Sequence, residues 1–128
     1  MSGLVARLGR SSAVHVAFAF VAMGSWALFA NRAYPLPRML LAGLVQGALS
    51  GCLTLFLKRV VERLSAAFSG PLRLVAPPVI ALLGSATLLV TFHMLSGTPE
   101  ILKTITVPLL VSTTYAALYN YSISKGRS

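Results

Sequence analysis

Few side chains in this sequence have the chemistry to act on anything. Between residues 43 and 58 stand Gly43, Gln46, Gly47, Ser50, Gly51, Thr54 and Lys58, at three- or four-residue spacing. On a helix that spacing gathers them on one face. Gln46 is the one long polar side chain placed well inside an apolar run. Its amide can contact a ligand, or bond a hydroxyl on a neighbouring helix such as Thr87 or Ser112. The second role is the commoner one for a polar group between helices in lipid.

The ionisable groups inform by their scarcity. There are two acids; Glu62 follows the second apolar run and Glu100 precedes the fourth, so neither falls mid-run. Proton-coupled transport generally needs a buried acid or a histidine relay. His15 and His93 fall near opposite ends of their runs, which disfavours a proton-driven antiporter. The sequence has no HExxH, GxSxG or phosphate-binding loop, and no Cys/His pairing for nucleophilic attack. The expectation is a non-enzymatic protein. The single Cys52 can make neither an intrachain disulfide nor a zinc site; it reads as a small packing residue. No cofactor or metal is expected.

Another set gathers near the run ends on one side: Asn31, Arg32, Arg38, His93, Glu100 and Lys103. Arginine forks match phosphate, and a helix opening at Thr98 adds partial positive charge. Arg32, Arg38, His93 and Lys103 are therefore candidate contacts for an anionic lipid headgroup. Against this, flanking Arg and Lys anchor membrane spans routinely.

The elements that position these groups follow from composition. The chain has 128 residues, 56% hydrophobic and 10% charged, with mean hydropathy +0.82. Those values lie outside the soluble globular range. Apolar runs span about 14–30, 39–57, 77–95 and 105–123, each close to the ~20 residues that cross a ~30 Å hydrocarbon core. Backbone in lipid must satisfy its own hydrogen bonds, so the expectation is all-α: one domain, a bundle of four transmembrane helices with short loops. The ten-residue alternating segments of a β-barrel are missing.

Charge orients the bundle. Arg7, Arg10, Lys58, Arg59, Arg63, Arg73, Lys125 and Arg127 fall on one side; Arg32, Arg38 and Lys103 fall on the other. The positive-inside rule then makes both termini and the middle loop cytoplasmic, with the bacterial inner membrane as the expected location. The +9 net charge and pI of 11.0 come from residues flanking spans, without a nucleic-acid-binding pattern. The expected partner is a bilayer with anionic lipids, not nucleic acid. A basic start before an apolar stretch also describes a signal peptide. This stretch is long for an h-region of ~7–15 residues, and Leu28-Phe29-Ala30 is a weak cleavage match.

Local signals add detail. Leu4, Val5 and Leu8 fit a short amphipathic segment on the inner surface. Residues 58–68 extend the helical pattern past the second span. Val60, Val61, Leu64 and Phe68 share a face there, and Lys58 and Glu62 form an i,i+4 pair. That segment is expected at the membrane interface. Pro77-Pro78 marks the start, or a kink, of the third helix. Thr98-Pro99-Glu100 reads as a helix start with Thr98 as N-cap. Trp26 and Tyr34 suit an interfacial aromatic belt. On the fourth helix Thr104, Pro108, Ser112, Tyr115, Tyr119 and Ser122 make a polar stripe that predicts little lipid contact.

Gly43, Gly47, Ser50 and Gly51 form a glycine-zipper face for helix packing, with packing inside the bundle favoured over packing between protomers. Two functional classes follow. The favoured one is a transport or lipid-translocation component acting as a homo-oligomer. Its groove would run between the second and fourth helices, with Gln46, Ser112, Tyr115 and Tyr119 on the wall and Arg32 and Arg38 at the outer mouth. The other is a non-catalytic structural or assembly subunit docked on a larger membrane-protein partner.

Overall fold

In a computed structural model the described residues are 2–125, with side chains from Ser12 onward. They form four α-helices: α1 (Ser2–Ala30), α2 (Leu36–Ala67), α3 (Leu72–Ser96) and α4 (Ile101–Lys125). All four are long and apolar enough to cross a membrane. The protein is an all-α membrane-type bundle. The proposed Leu4, Val5 and Leu8 segment lies outside the described side chains.

Short turns force the helices to alternate in direction. Residues 31–35 and 97–100 lie at one end of the bundle, where Asn31 meets Thr104 and Glu100. The α2–α3 turn lies at the other, where Ser65 of α2 and Ser124 of α4 sit 3.4 Å apart. We call these the two-turn end and the terminal end. α2 packs against all three other helices, while α1 and α3 do not touch among the described residues. The four helices close a ring, α1 to α2 to α3 to α4 and back to α1, with α2 and α4 in contact across its short diagonal.

Two elements depart from expectation. α2 runs unbroken to Ala67, and Val61 and Ser65 are fully buried. Residues 58–68 thus do not lie apart on an interface. They extend the bundle, because Leu57 and Val61 pack with Ala81 and Ala116. Likewise α3 starts at Leu72, so Pro77 and Pro78 sit inside a helix. Proline lacks an N–H, and each one frees the carbonyl four residues before it. Here those carbonyls belong to Arg73 and Leu74. The buried Asn120 of α4 donates its amide to both, at 2.7 and 3.3 Å. Arg73 meanwhile turns its Nε to the Ser65 and Phe68 carbonyls, at 3.1 and 2.9 Å, and so satisfies the free end of α2.

The fourth helix also differs from its expected face. Thr104, Pro108, Ala116, Asn120 and Ser124 are buried at four-residue steps. Tyr115 and Ser122 are exposed, and Leu102, Leu110 and Leu118 are more than 60% exposed. α4 thus keeps a lipid-type apolar face. Its buried polar stripe is turned by one residue from the one the spacing suggested.

Candidate functional site

The small face of α2 splits into two stripes that do different things. Gly43, Gly47 and Gly51 lie against α1. A Cβ on Gly47 would come 3.0 Å from the Phe20 carbonyl, and one on Gly24 would come 3.0 Å from the Gly43 carbonyl. A Cβ at either position would push the facing backbone back by a few tenths of an ångström. The adjacent stripe, Gln46, Ser50, Thr54 and Lys58, advances by about one helical turn per residue; Gln46 turns to His93 of α3, and the other three line the space between α1 and α4.

Gln46 is fully buried, and its partners are neither Thr87 nor Ser112. Its Oε1 lies 2.8 Å from Nε2 of His93, and its Nε2 donates to Ser50 at 2.8 Å. On the other side of the ring, His93 Nδ1 lies 2.6 Å from the Thr98 hydroxyl. Gly97 makes this possible. At φ 74 it closes α3 with the left-handed turn in which Gly97 N–H bonds Met94 and Thr98 N–H bonds His93. That turn folds Thr98 back over the imidazole. Thr98 is consequently the partner of His93 and not the N-cap of α4, which begins at Ile101.

Asn31 organises the neighbouring turn. Its Nδ2 donates to the Ala27 carbonyl and to Thr104 Oγ1, both at 2.8 Å, and its Oδ1 accepts Glu100 N–H at 2.9 Å. Tyr34 donates to Glu100 at 2.8 Å, and Trp26 Nε1 donates to the Lys103 carbonyl at 2.9 Å. These bonds pin α1 to α4 at the two-turn end. They also give Trp26 and Tyr34 specific partners in place of a general interfacial role. The Tyr34 phenol is held above its ordinary value, chiefly because it donates to the Glu100 carboxylate and also because that charge opposes a second one.

Toward the terminal end, α1 stays on α2 by its glycine contacts while α4 leans toward α3 by Ala116 and Asn120. The two therefore part, and a groove of about 850 Å³ opens between them with α2 as its floor. That volume is of the size that holds a small ligand. Phe18, Met23, Leu53 and Val111 supply apolar walls; Ser50, Thr54 and Ser112 supply hydroxyls. His15 and Lys58, both exposed, are its ionisable side chains toward the terminal end. Tyr115 and Tyr119 stack at 5.6 Å and 10° across its α4 side. Tyr119 also bonds Glu62, so that acid reaches across to α4 and not along α2 to Lys58.

Of the residues expected on the groove wall, Ser112, Tyr115 and Tyr119 line it, and Gln46 does not; it lies behind Ser50. The expected headgroup set is not assembled. His93 is fully buried, Arg32 donates to the Phe29 carbonyl and stacks 3.9 Å over the Phe29 ring, and Lys103 offers its backbone to Trp26. Neither Arg32 nor Arg38 borders the groove. Lys58 and His15 were not singled out for it. The four-residue steps from Ser50 through Thr54 to Lys58 carried that signal, and placing the end of the span at Leu57 hid it. A second groove of about 530 Å³, between α2 and α3, is lined by Cys52, Phe56, Ile80 and Phe92 without a charged side chain.

Among the described residues no cluster of His, Cys, Asp or Glu could hold a metal ion. The larger groove offers donors, acceptors and a cation, which is chemistry for binding. No family model, no curated protein and no solved structure matches this chain.

Proposed function

We propose that this protein is a small non-enzymatic membrane transport component. In this reading it moves amphiphilic molecules along the α1–α4 groove and works as an oligomer in a bacterial inner membrane. The observation that carries the reading is the groove itself: about 850 Å³, bounded by helices on two sides and a floor. An amphiphile crossing a bilayer needs apolar contact for its chain and a polar track for its head. Phe18 and Val111 offer the first; Ser50, Thr54 and Ser112 offer the second. A second copy would close the open side, since Phe18 and Val111 of the lining are 72 and 53% exposed. The excess of cations at the terminal end orients that end to the cytoplasm.

The test is reconstitution into vesicles carrying phosphatidylglycerol with a fluorescent headgroup, followed by an impermeant quencher. The expected result is protein-dependent exposure of the inner-leaflet dye, removed by Ser112→Trp, which fills the groove. Dye protection equal to that of protein-free vesicles overturns the reading.

A further inference from the structure

We infer that the α1–α4 groove takes one anionic acyl lipid, with its phosphate at the Lys58 end and its chain along Phe18, Leu53 and Val111. The inference rests on the reading of this groove as the working site and adds the ligand's charge, class and direction.

The direction comes from a hydrogen-bond chain with a set polarity. Gln46 donates one amide N–H to Ser50, and its oxygen, which can only accept, takes the Nε2–H of His93. A neutral imidazole has a single N–H, so its Nδ1 accepts the hydroxyl hydrogen of Thr98. At the groove end, Ser50 already accepts Gln46, which leaves its own hydrogen for an acceptor. Thr54 spends its hydrogen on the Ser50 carbonyl at 2.8 Å and turns only lone pairs outward. The floor thus presents Ser50 as a donor at its inner level and Lys58 as a cation eight residues on, about 12 Å of helix away. An ester carbonyl suits the first and a phosphate the second.

The charge comes from what borders the Lys58 end. His15 faces it from α1, and Glu62, the acid on the same helix, is held by Tyr119. Among the described residues the groove lining holds no carboxylate, so a cationic amphiphile would meet Lys58 without a counter-charge there. The chain comes from the rest of the lining, where Phe18, Met23, Leu53, Leu57 and Val111 leave far more apolar surface than inorganic phosphate could cover.

The test is native mass spectrometry of the purified protein in neutral detergent. It is offered dioleoyl phosphatidylglycerol and dioleoyl phosphatidylcholine in equal amounts, and inorganic phosphate separately. The expected result is one phosphatidylglycerol per chain, retained about fivefold over phosphatidylcholine, the discrimination one interfacial cation provides. Lys58→Gln should abolish that preference, Lys58→Arg should keep it, and Arg38→Gln at the other end should leave it unchanged. Equal retention of the two lipids, a preference untouched by Lys58→Gln, retention of phosphate alone, or a second chain displacing lipid would each overturn the inference. Lys58-dependent retention without lipid translocation supports this site and removes the transport reading. Translocation without Lys58-dependent retention does the reverse.

Discussion

Asn120 on α4 donates its side-chain amide to the Arg73 carbonyl on α3 at 2.7 Å, and to Leu74 at 3.3 Å. Those are the two acceptors that Pro77 and Pro78 leave without a helical partner. One side chain from a neighbouring helix therefore lets α3 carry two prolines in its interior.

Asn120→Leu should destabilise the bundle by about 1–3 kcal/mol, the range for buried polar groups left unpaired. The loss should shrink when Pro77 and Pro78 are also replaced by Ala, since restored N–H groups recover the carbonyls. Denaturant unfolding in detergent measures both. An equal loss with and without the prolines would show that Asn120 acts through something else.

His93 and Gln46 join α3 to α2 with both side chains fully buried. A double-mutant cycle with His93→Phe and Gln46→Leu should give a coupling of about 0.6–1.7 kcal/mol, the span found for hydrogen bonds between membrane helices. Additive single effects would mean that the pair is adjacent but uncoupled.

The α1–α2 approach predicts a ranked alanine series. At Gly24 and Gly47 a new Cβ meets a backbone carbonyl at 3.0 Å, so the helices must part. Each should cost about 1–3 kcal/mol, as overpacking does. At Gly51 the nearest atom is a side-chain methyl of Val16 at 3.2 Å, which can shift, and Gly84 meets nothing within 4 Å. Gly51→Ala should therefore cost less, and Gly84→Ala should be neutral or mildly stabilising through helix propensity. Thermal scans of the four variants give the order, and a Gly84→Ala loss as large as that of Gly47→Ala contradicts it.

Tyr34 titrates above the usual ~10 because it donates to Glu100. A group whose folded value is raised contributes stability below its unfolded value, and loses it as pH climbs through the folded one. The Tyr34–Glu100 tie between the two turns should thus hold through neutral pH and weaken only above ~10. Ultraviolet titration of the protein minus that of Tyr34→Phe isolates this phenol. A difference midpoint at or below the ordinary value removes the bond from the account.

The helix count, class and approximate spans were legible because four runs of some twenty apolar residues have one physical solution in lipid. Spacing grouped Gly43, Gly47, Ser50 and Gly51 on one packing face; the structure sets the three glycines against α1 and Ser50 in the groove. Placement beyond one helix was not legible. Periodicity showed that Gln46, Ser50, Thr54 and Lys58 share a face with the glycines, yet which helix covers each stripe depends on crossing angles that no single helix encodes. Pro77-Pro78 read as a boundary or a kink, since proline's cost is local and visible. The compensation is 42 residues away at Asn120, and nothing local reveals it.

Composition and period by themselves thus determined that this chain is a four-helix membrane-type bundle. Burial in lipid demands apolar length and internal backbone bonding, and both are written residue by residue. Only the tertiary structure decided that His93 lies inside with Gln46 and Thr98, that Arg32 and Arg38 border no groove, and that Lys58 does. Those outcomes turn on where α1 and α4 are pinned together and where they part. That is a property of pairs of helices, set by Asn31 at one end and by the glycine contacts and Asn120 toward the other.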